Sequence, residues 1–268
     1  MSQTETPIKR IMVFGDYQIC EDLLLSAEDP VRPILKRICT DLTADGNTID
    51  AVMIGGDLTY DNYIKQERCE FVIQSVLGYI SEKLTPNIYI VSGNHDYNAG
   101  VRDGYNSADY YNLYMKENMG SLEDNDNGYF EECSYFDGEA LIAFCYELDG
   151  IYFMGISTSP DMVLGSLQHN NYCYTDGAMR WIKRKLEEIG KDKTVFLTGH
   201  YPLSDSNNVI KSSKGALVDT SNELTEIFSQ YPNLMYLYGH DHGSGFAYID
   251  SETTERVTCY DSEGYKIK

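Results

Sequence analysis

Short apolar runs and longer amphipathic stretches alternate along this chain. The runs at 8–14, 50–54, 87–91, 140–146, 151–157, 194–198 and 234–238 are rich in Val, Ile, Leu, Met, Phe and Tyr. Their length and lack of polar alternation predict strands buried on both faces. Between them the period lengthens. Residues 33–42 carry apolar side chains at 34, 35, 38 and 42, and 64–84 place Phe71, Val72, Val76, Leu77 and Ile80 on one stripe. In 178–189, Met179, Trp181, Ile182, Leu186 and Ile189 share a face with the charges opposite, and 219–231 is a further helix candidate. Asp149-Gly150 splits an apolar stretch and predicts a hairpin turn. Two short strands are expected near the end, at 245–249 and 256–260. Strands alternating with helices predict an α/β layer architecture.

One stretch, about 97–130, is too long for an ordinary connection. Its tyrosines (Tyr105, Tyr110, Tyr111, Tyr114) predict a partly helical excursion packed on the main body. No repeat and no linker rich in Pro, Gly or Ser interrupts the chain, so a single domain over 1–268 is the expectation.

Charge narrows the partners. Asp and Glu number 42 against 21 Lys and Arg, a net charge of -21. The field of such a surface repels nucleic acid and anionic membrane, which leaves small molecules as the expected partners. The polar start Met1–Arg10 lacks a secretory leader's pattern, and no run approaches the roughly eighteen apolar residues of a membrane span. The seven cysteines are scattered without a C-x-x-C pair, which fits reduced thiols and a cytoplasmic setting. Cys133 and Cys145 facing each other across a hairpin would be coincidence. The sequence does not speak to oligomeric state.

Candidate chemistry gathers where strands end. Five apolar runs close on Gly15-Asp16, Gly56-Asp57, Gly93-Asn94-His95-Asp96, Gly199-His200 and Gly239-His240-Asp241-His242. Ligands of open α/β sheets bind at strand carboxyl ends, so these tips converge on one place. Four of the five histidines sit in them. A lone Gly-Asp means little, but the series points to a shared metal site. Carboxylate, amide and imidazole donors without thiolate suit Mn, Fe or Zn. His240 and His242 project to the same side of an extended chain, roughly 7 Å apart at Cα. That spacing suits two ions about 3.5–4 Å apart, with Asp57 placed to bridge them.

In order and spacing these motifs resemble the calcineurin-like metallophosphoesterases, over most of the chain. The resemblance implies two packed mixed sheets flanked by helices, a four-layer arrangement, with a dinuclear centre at one edge. It implies that Asp16 and His242 hold a first metal, that Asp57 bridges, and that Asn94, His200 and His240 hold a second. His95 would be the general acid on the leaving oxygen, oriented by Asp96. The reaction implied is hydrolysis of a phosphomonoester or small phosphodiester, by in-line attack of a hydroxide bridging two divalent or mixed-valence ions.

Gln18 departs from the pattern, because most of the family reads Asp-x-His there and uses that histidine as a ligand. Gln18 is then a weak candidate ligand. Gly56-Asp57-Leu58-Thr59-Tyr60 resembles the Gly-Asp-x-x-Tyr of purple acid phosphatases, which makes Tyr60 the other candidate. Arg102 offers a bidentate guanidinium to a substrate phosphate, and His169 has no motif around it. A degenerate member acting as a binding or scaffold module is the alternative, and intact Asn94, His95 and Asp96 argue against it. A nuclease would want basic grooves.

Overall fold

The computed structural model describes residues 10–18, 29–59, 66–96, 107–118, 126–132, 139–159, 174–203, 221–240 and 246–247. Its strands form two sheets. The first is parallel in the order β1 (Ile11–Phe14), β2 (Ala51–Ile54), β3 (Ile88–Ile90). The second has the order β4 (Gly128–Glu132), β5 (Glu139–Leu148), β6 (Ile151–Ile156), β7 (Thr194–Gly199), β8 (Leu234–Leu237), β9 (Phe246–Ala247). Within it β6, β7 and β8 run parallel, and the outer pairings are antiparallel. The fold is α/β, as the strand–helix alternation predicts, with the two packed sheets and outer helices that the resemblance implies.

Two helices show the local chemistry that starts them. α1 (Pro33–Leu42) starts on a proline, whose missing N–H would be unsatisfied there anyway. α2 spans Gln66–Lys83 and α3 Ser107–Asn118. α4 (Asp176–Ile189) is capped by Thr175, whose Oγ1 accepts the Ala178 N–H, and ends at Gly190 with φ 90°. α5 is Ser221–Phe228.

Two apolar bodies result. The first joins β1–β3, α1, α2, α3 and the inner face of the second sheet. At its centre Tyr89 of β3 stacks on Phe153 of β6, with ring centroids 4.6 Å apart. The second body lies between the outer face of that sheet and α4 and α5. In β5 the alternation slips: Leu141 faces the first body, Ile142 and Ala143 both face the second, and Phe144 returns to the first. A bulge opposite Tyr129 and Phe130 causes this by inserting one unpaired residue.

Several expectations are refined. The α2 stripe is Val72, Ile73, Val76, Leu77 and Ile80, while Phe71 is 41% exposed. A helix cannot turn both 71 and 73 to the same narrow face, and the better-packed register wins. Strand β4 was not predicted, since its residues are all half-buried or exposed and show no alternation. The hairpin between β5 and β6 turns at Asp149-Gly150, both at positive φ, as a type I′ turn requires. Cys39 and Cys145 are free buried thiols. Cys133 and the strand expected at 256–260 lie outside the described residues. No helix among the described residues is long and apolar enough to cross a membrane.

Candidate metal centre

Parallel pairing within each sheet brings carboxyl ends together, and hydrogen bonds stitch the two sheets at that edge. Thr158 N donates to Ser92 O at 3.0 Å and Ser92 N donates to Ser157 Oγ at 3.1 Å, while within the second sheet Gly239 N donates to His200 O at 3.0 Å. Small residues make the approach possible. A Cβ on Gly239 would lie 2.5 Å from Asp16 Oδ2, and one on Gly93 would lie 2.1 Å from Asp57 Oδ1.

The tips are held in a rare conformation. Six described non-glycine residues have positive φ, and four are Asp16, Gln18, Asp57 and His240. Each such residue costs on the order of 1–3 kcal/mol, less for Asp, so the surrounding hydrogen bonds must impose it. They do: Asp16 N donates to Gly56 O at 3.0 Å, Gln18 N to Asp57 O at 2.9 Å, and His240 N to Asp16 Oδ2 at 2.7 Å.

Four side chains then meet. His200 Nδ1 lies 2.8 Å from the Gly55 carbonyl, which can only accept, so Nδ1 donates and Nε2 faces the cluster. That Nε2 is 3.0 Å from Asn94 Oδ1 and 3.3 Å from Asp57 Oδ2. His240 Nδ1 is 2.9 Å from the same Asn94 oxygen and 3.2 Å from His200 Nε2. Asp57 Oδ2 is buried without a hydrogen-bond donor. Ligand atoms of Asp57, His200 and His240 lie within 4.8 Å of one another. Buried lone pairs facing each other at such distances call for a cation between them. The residues present therefore fit a divalent metal.

Electrostatics agree. Burial disfavours charge on His200, but the Asp57 carboxylate, with Asp16 and the Gly55 carbonyl, outweighs it and raises the imidazole to about 9. Burial also works against Asp57, yet His200 and the His95 backbone amide hold its carboxyl below the usual range. Without a metal, a proton on His200 partly fills the cation's place.

Beside this cluster, His95 donates its backbone N–H to Asp57 Oδ1 at 2.9 Å. Asp96 is fully buried, and burial, then the Asp57 charge, raise it to about 6. Its Oδ2 accepts from Asp57 N and Gly93 N, both at 2.8 Å. Its Oδ1 accepts from Thr59 N and Oγ1 and from Tyr111 Oη. Gln18 is half-buried, and its main-chain oxygen accepts from Arg32 Nη2 at 2.5 Å. The Arg32 guanidinium stands 5.0 Å over the Tyr17 ring, and the Arg32 main-chain N–H donates to Tyr17 Oη at 2.7 Å.

The structure thus brings together Asp57, Asn94, His200 and His240, with Asp16, His95 and Asp96 bonded to the same loops. His242, Tyr60, Arg102 and His169 lie outside the described residues. Sequence reasoning did not single out Thr59, Tyr111 as a partner of Asp96, Arg32 or Tyr201. The Tyr201 ring packs edge-on to His200 and His240, at 5.1 and 4.8 Å. Adjacency to His200 was the one available signal for Tyr201. Arg32 and Tyr111 are 14 and 15 residues from the groups they hold, with no motif to mark them.

A family model described as calcineurin-like phosphoesterase matches residues 9–244. No curated protein matches the chain. Among solved structures, a dimetal phosphatase from Danio rerio is similar at TM-score 0.56 and 13% identity, over 97% of this chain and 86% of that one. A purple acid phosphatase from yellow lupin (Lupinus luteus) seeds aligns at TM-score 0.48 and 16% identity, over 88% of this chain and 38% of that one. A phosphopantetheinyl hydrolase from Mycobacterium tuberculosis aligns at TM-score 0.45 and 13% identity, over 87% and 83%. The first likeness shows the fold. With the family match spanning all the site residues from Asp16 to His240, the chain belongs to the calcineurin-like phosphoesterase family and is a metal-dependent phosphoric ester hydrolase.

Proposed function

We propose that this single-domain protein hydrolyses a phosphomonoester or small phosphodiester at a dinuclear centre in the cytoplasm. The observation that carries the reading is the convergence of Asn94 Oδ1, His200 Nε2, His240 Nδ1 and Asp57 Oδ2. These four would hold one ion. Asp16 and His242 would hold the other, with Asp57 shared between them and Gln18 or Tyr60 as further donors. Divalent Mn, Fe or Zn there would neutralise the phosphoryl oxygens and acidify an attacking water.

The chain's own groups do the rest. His95 would give a proton to the departing alkoxide, a role open to an imidazole near neutral pH. Its backbone amide orients Asp57, so proton donor and shared ligand are fixed relative to each other. Asp96 locks the loops that carry them. Arg102 is a candidate for a non-bridging phosphate oxygen. The field of a protein at -21 disfavours nucleic acid as substrate.

A panel of chromogenic mono- and diesters, assayed with Mn, Zn, Fe or Ni beside His95→Ala and Asn94→Ala, tests the proposal. Hydrolysis with added metal, lost in both variants, is the expected result. Inactivity with every metal, or equal rates in the variants, would return the scaffold reading.

A further inference from the structure

We infer that Tyr111 is a positioning residue for the metal centre, acting through Asp96 from outside the strand tips. The inference rests on the proposed metal-binding role of Asp57 and Asn94.

One oxygen of Asp96, Oδ2, accepts the main-chain N–H groups of Asp57 and Gly93, both at 2.8 Å. Those two amides belong to the loops after β2 and β3, and the loops carry Asp57 and Asn94. The carboxylate is therefore a clasp between two ligand-bearing loops. It must resist strain, since Asp57 sits at φ 53°. How firmly the clasp sits depends on the other oxygen. Oδ1 accepts from Thr59 N at 3.3 Å and Thr59 Oγ1 at 3.2 Å, both long. Tyr111 Oη donates to it at 2.7 Å, in the range of a strong O–H to carboxylate bond. The Tyr111 hydroxyl is thus the best-placed donor to Oδ1.

Tyr111 also brings a rigid frame. It lies on α3, within the excursion at 97–130, and is 1% exposed. With Met115 it joins the first apolar body, and α3 contacts β3, β5 and α2. A ring locked by packing holds its hydroxyl at a fixed point, the condition for orienting a ligand through an outer partner. α3 therefore packs on the domain and also braces the metal loops.

The test is Mn2+ affinity of chelator-stripped protein, measured by calorimetry, alongside the unfolding midpoint. Tyr111→Phe is expected to bind Mn2+ about tenfold more weakly, the low end of what losing an outer-shell partner costs. Its activity deficit should shrink as Mn2+ is raised. Two variants on α3 separate bracing from general loosening. Tyr114→Phe removes a hydroxyl from the same helix, and Met115→Ala removes buried volume, and neither side chain is bonded to Asp96. Both should keep wild-type affinity within about twofold, a small outer-shell effect, even where Met115→Ala lowers the midpoint more than Tyr111→Phe does. Unchanged affinity in Tyr111→Phe, or equal weakening in Met115→Ala, overturns the inference alone. Wild-type protein that binds no Mn2+ overturns the metal reading and this inference with it.

Discussion

The two sides of the strand-tip cluster are built by different means. On one side, Asp57, Asn94, His200 and His240 come from four separate segments and present side-chain acceptor atoms at 2.9–3.3 Å from each other. On the other, the segment Asp16–Gln18 is held mainly through its main chain. Asp16 N and Gln18 N donate to Gly56 O and Asp57 O, and Gln18 O accepts from Arg32. Both sides carry positive φ, at Asp57 and His240 on the first and at Asp16 and Gln18 on the second. Side-chain identity therefore matters more on the first side than on the second. Lone pairs facing one another need those atoms and a cation, whereas a backbone clamp fixes position 18 whatever its side chain. A glutamine can therefore stand where the resemblance leads one to expect histidine without disturbing the loop that presents Asp16.

The largest expected effect attacks the first side. Asn94→Ala removes the oxygen shared by both imidazoles and should lower kcat/KM about a thousandfold, equivalent to about 4 kcal/mol. It should also weaken metal binding, read by the same calorimetry. Retained activity would place the reacting centre elsewhere. Next comes backbone crowding. A Cβ at Gly93 meets Asp57 Oδ1 at 2.1 Å and Asp57 N at 2.7 Å, while one at Gly15 meets Gly239 Cα at 3.3 Å. Gly93→Ala should therefore destabilise by about 3 kcal/mol in urea unfolding and Gly15→Ala by less than about 1 kcal/mol. Equal costs would mean that the two sides are packed alike.

A pH series gives a smaller, signed effect. The folded pKa of His200, about 9, lies above its ordinary 6.5. Its protonation therefore stabilises metal-free protein fully below 6.5, and that stability is lost as pH rises through 9. Chelated protein should show a falling midpoint across that window, and metal-loaded protein, whose cation replaces the proton, should not. Parallel curves would contradict the link. The smallest effect is expected from Gln18→Ala, which leaves both main-chain bonds intact. Its kcat/KM should fall less than about tenfold, or about 1.4 kcal/mol. A loss as large as that of Asn94→Ala would show that the amide is an essential ligand.

Much of this was legible in the sequence because the information is local. Each tip joins a run of apolar residues to a glycine and a polar donor, so Asp57, Asn94, His200 and His240 could be named before any fold was known. The α/β layering follows from the same runs and the helices between them. What stayed hidden depends on contacts distant in sequence. Asp96 could be assigned to orient His95 by resemblance, but its bonds to Asp57 and Thr59 form only when the loops after β2 and β3 meet, and the Tyr111 bond only when α3 packs on β3. The Arg32 clamp on Gln18 depends on where α1 begins. Phe71 was misplaced because a helix face is chosen by packing among nearly equivalent registers. β4 escaped notice because an edge strand with half-buried residues carries no periodicity.

That the four converging side chains hold a cation can be tested most directly by anomalous diffraction from Mn2+-soaked crystals. A peak within coordination distance of Asn94 Oδ1, His200 Nε2, His240 Nδ1 and Asp57 Oδ2 is predicted, and it should vanish in Asn94→Ala crystals. An anomalous map with no peak among those atoms, under conditions where the enzyme turns over, would contradict it.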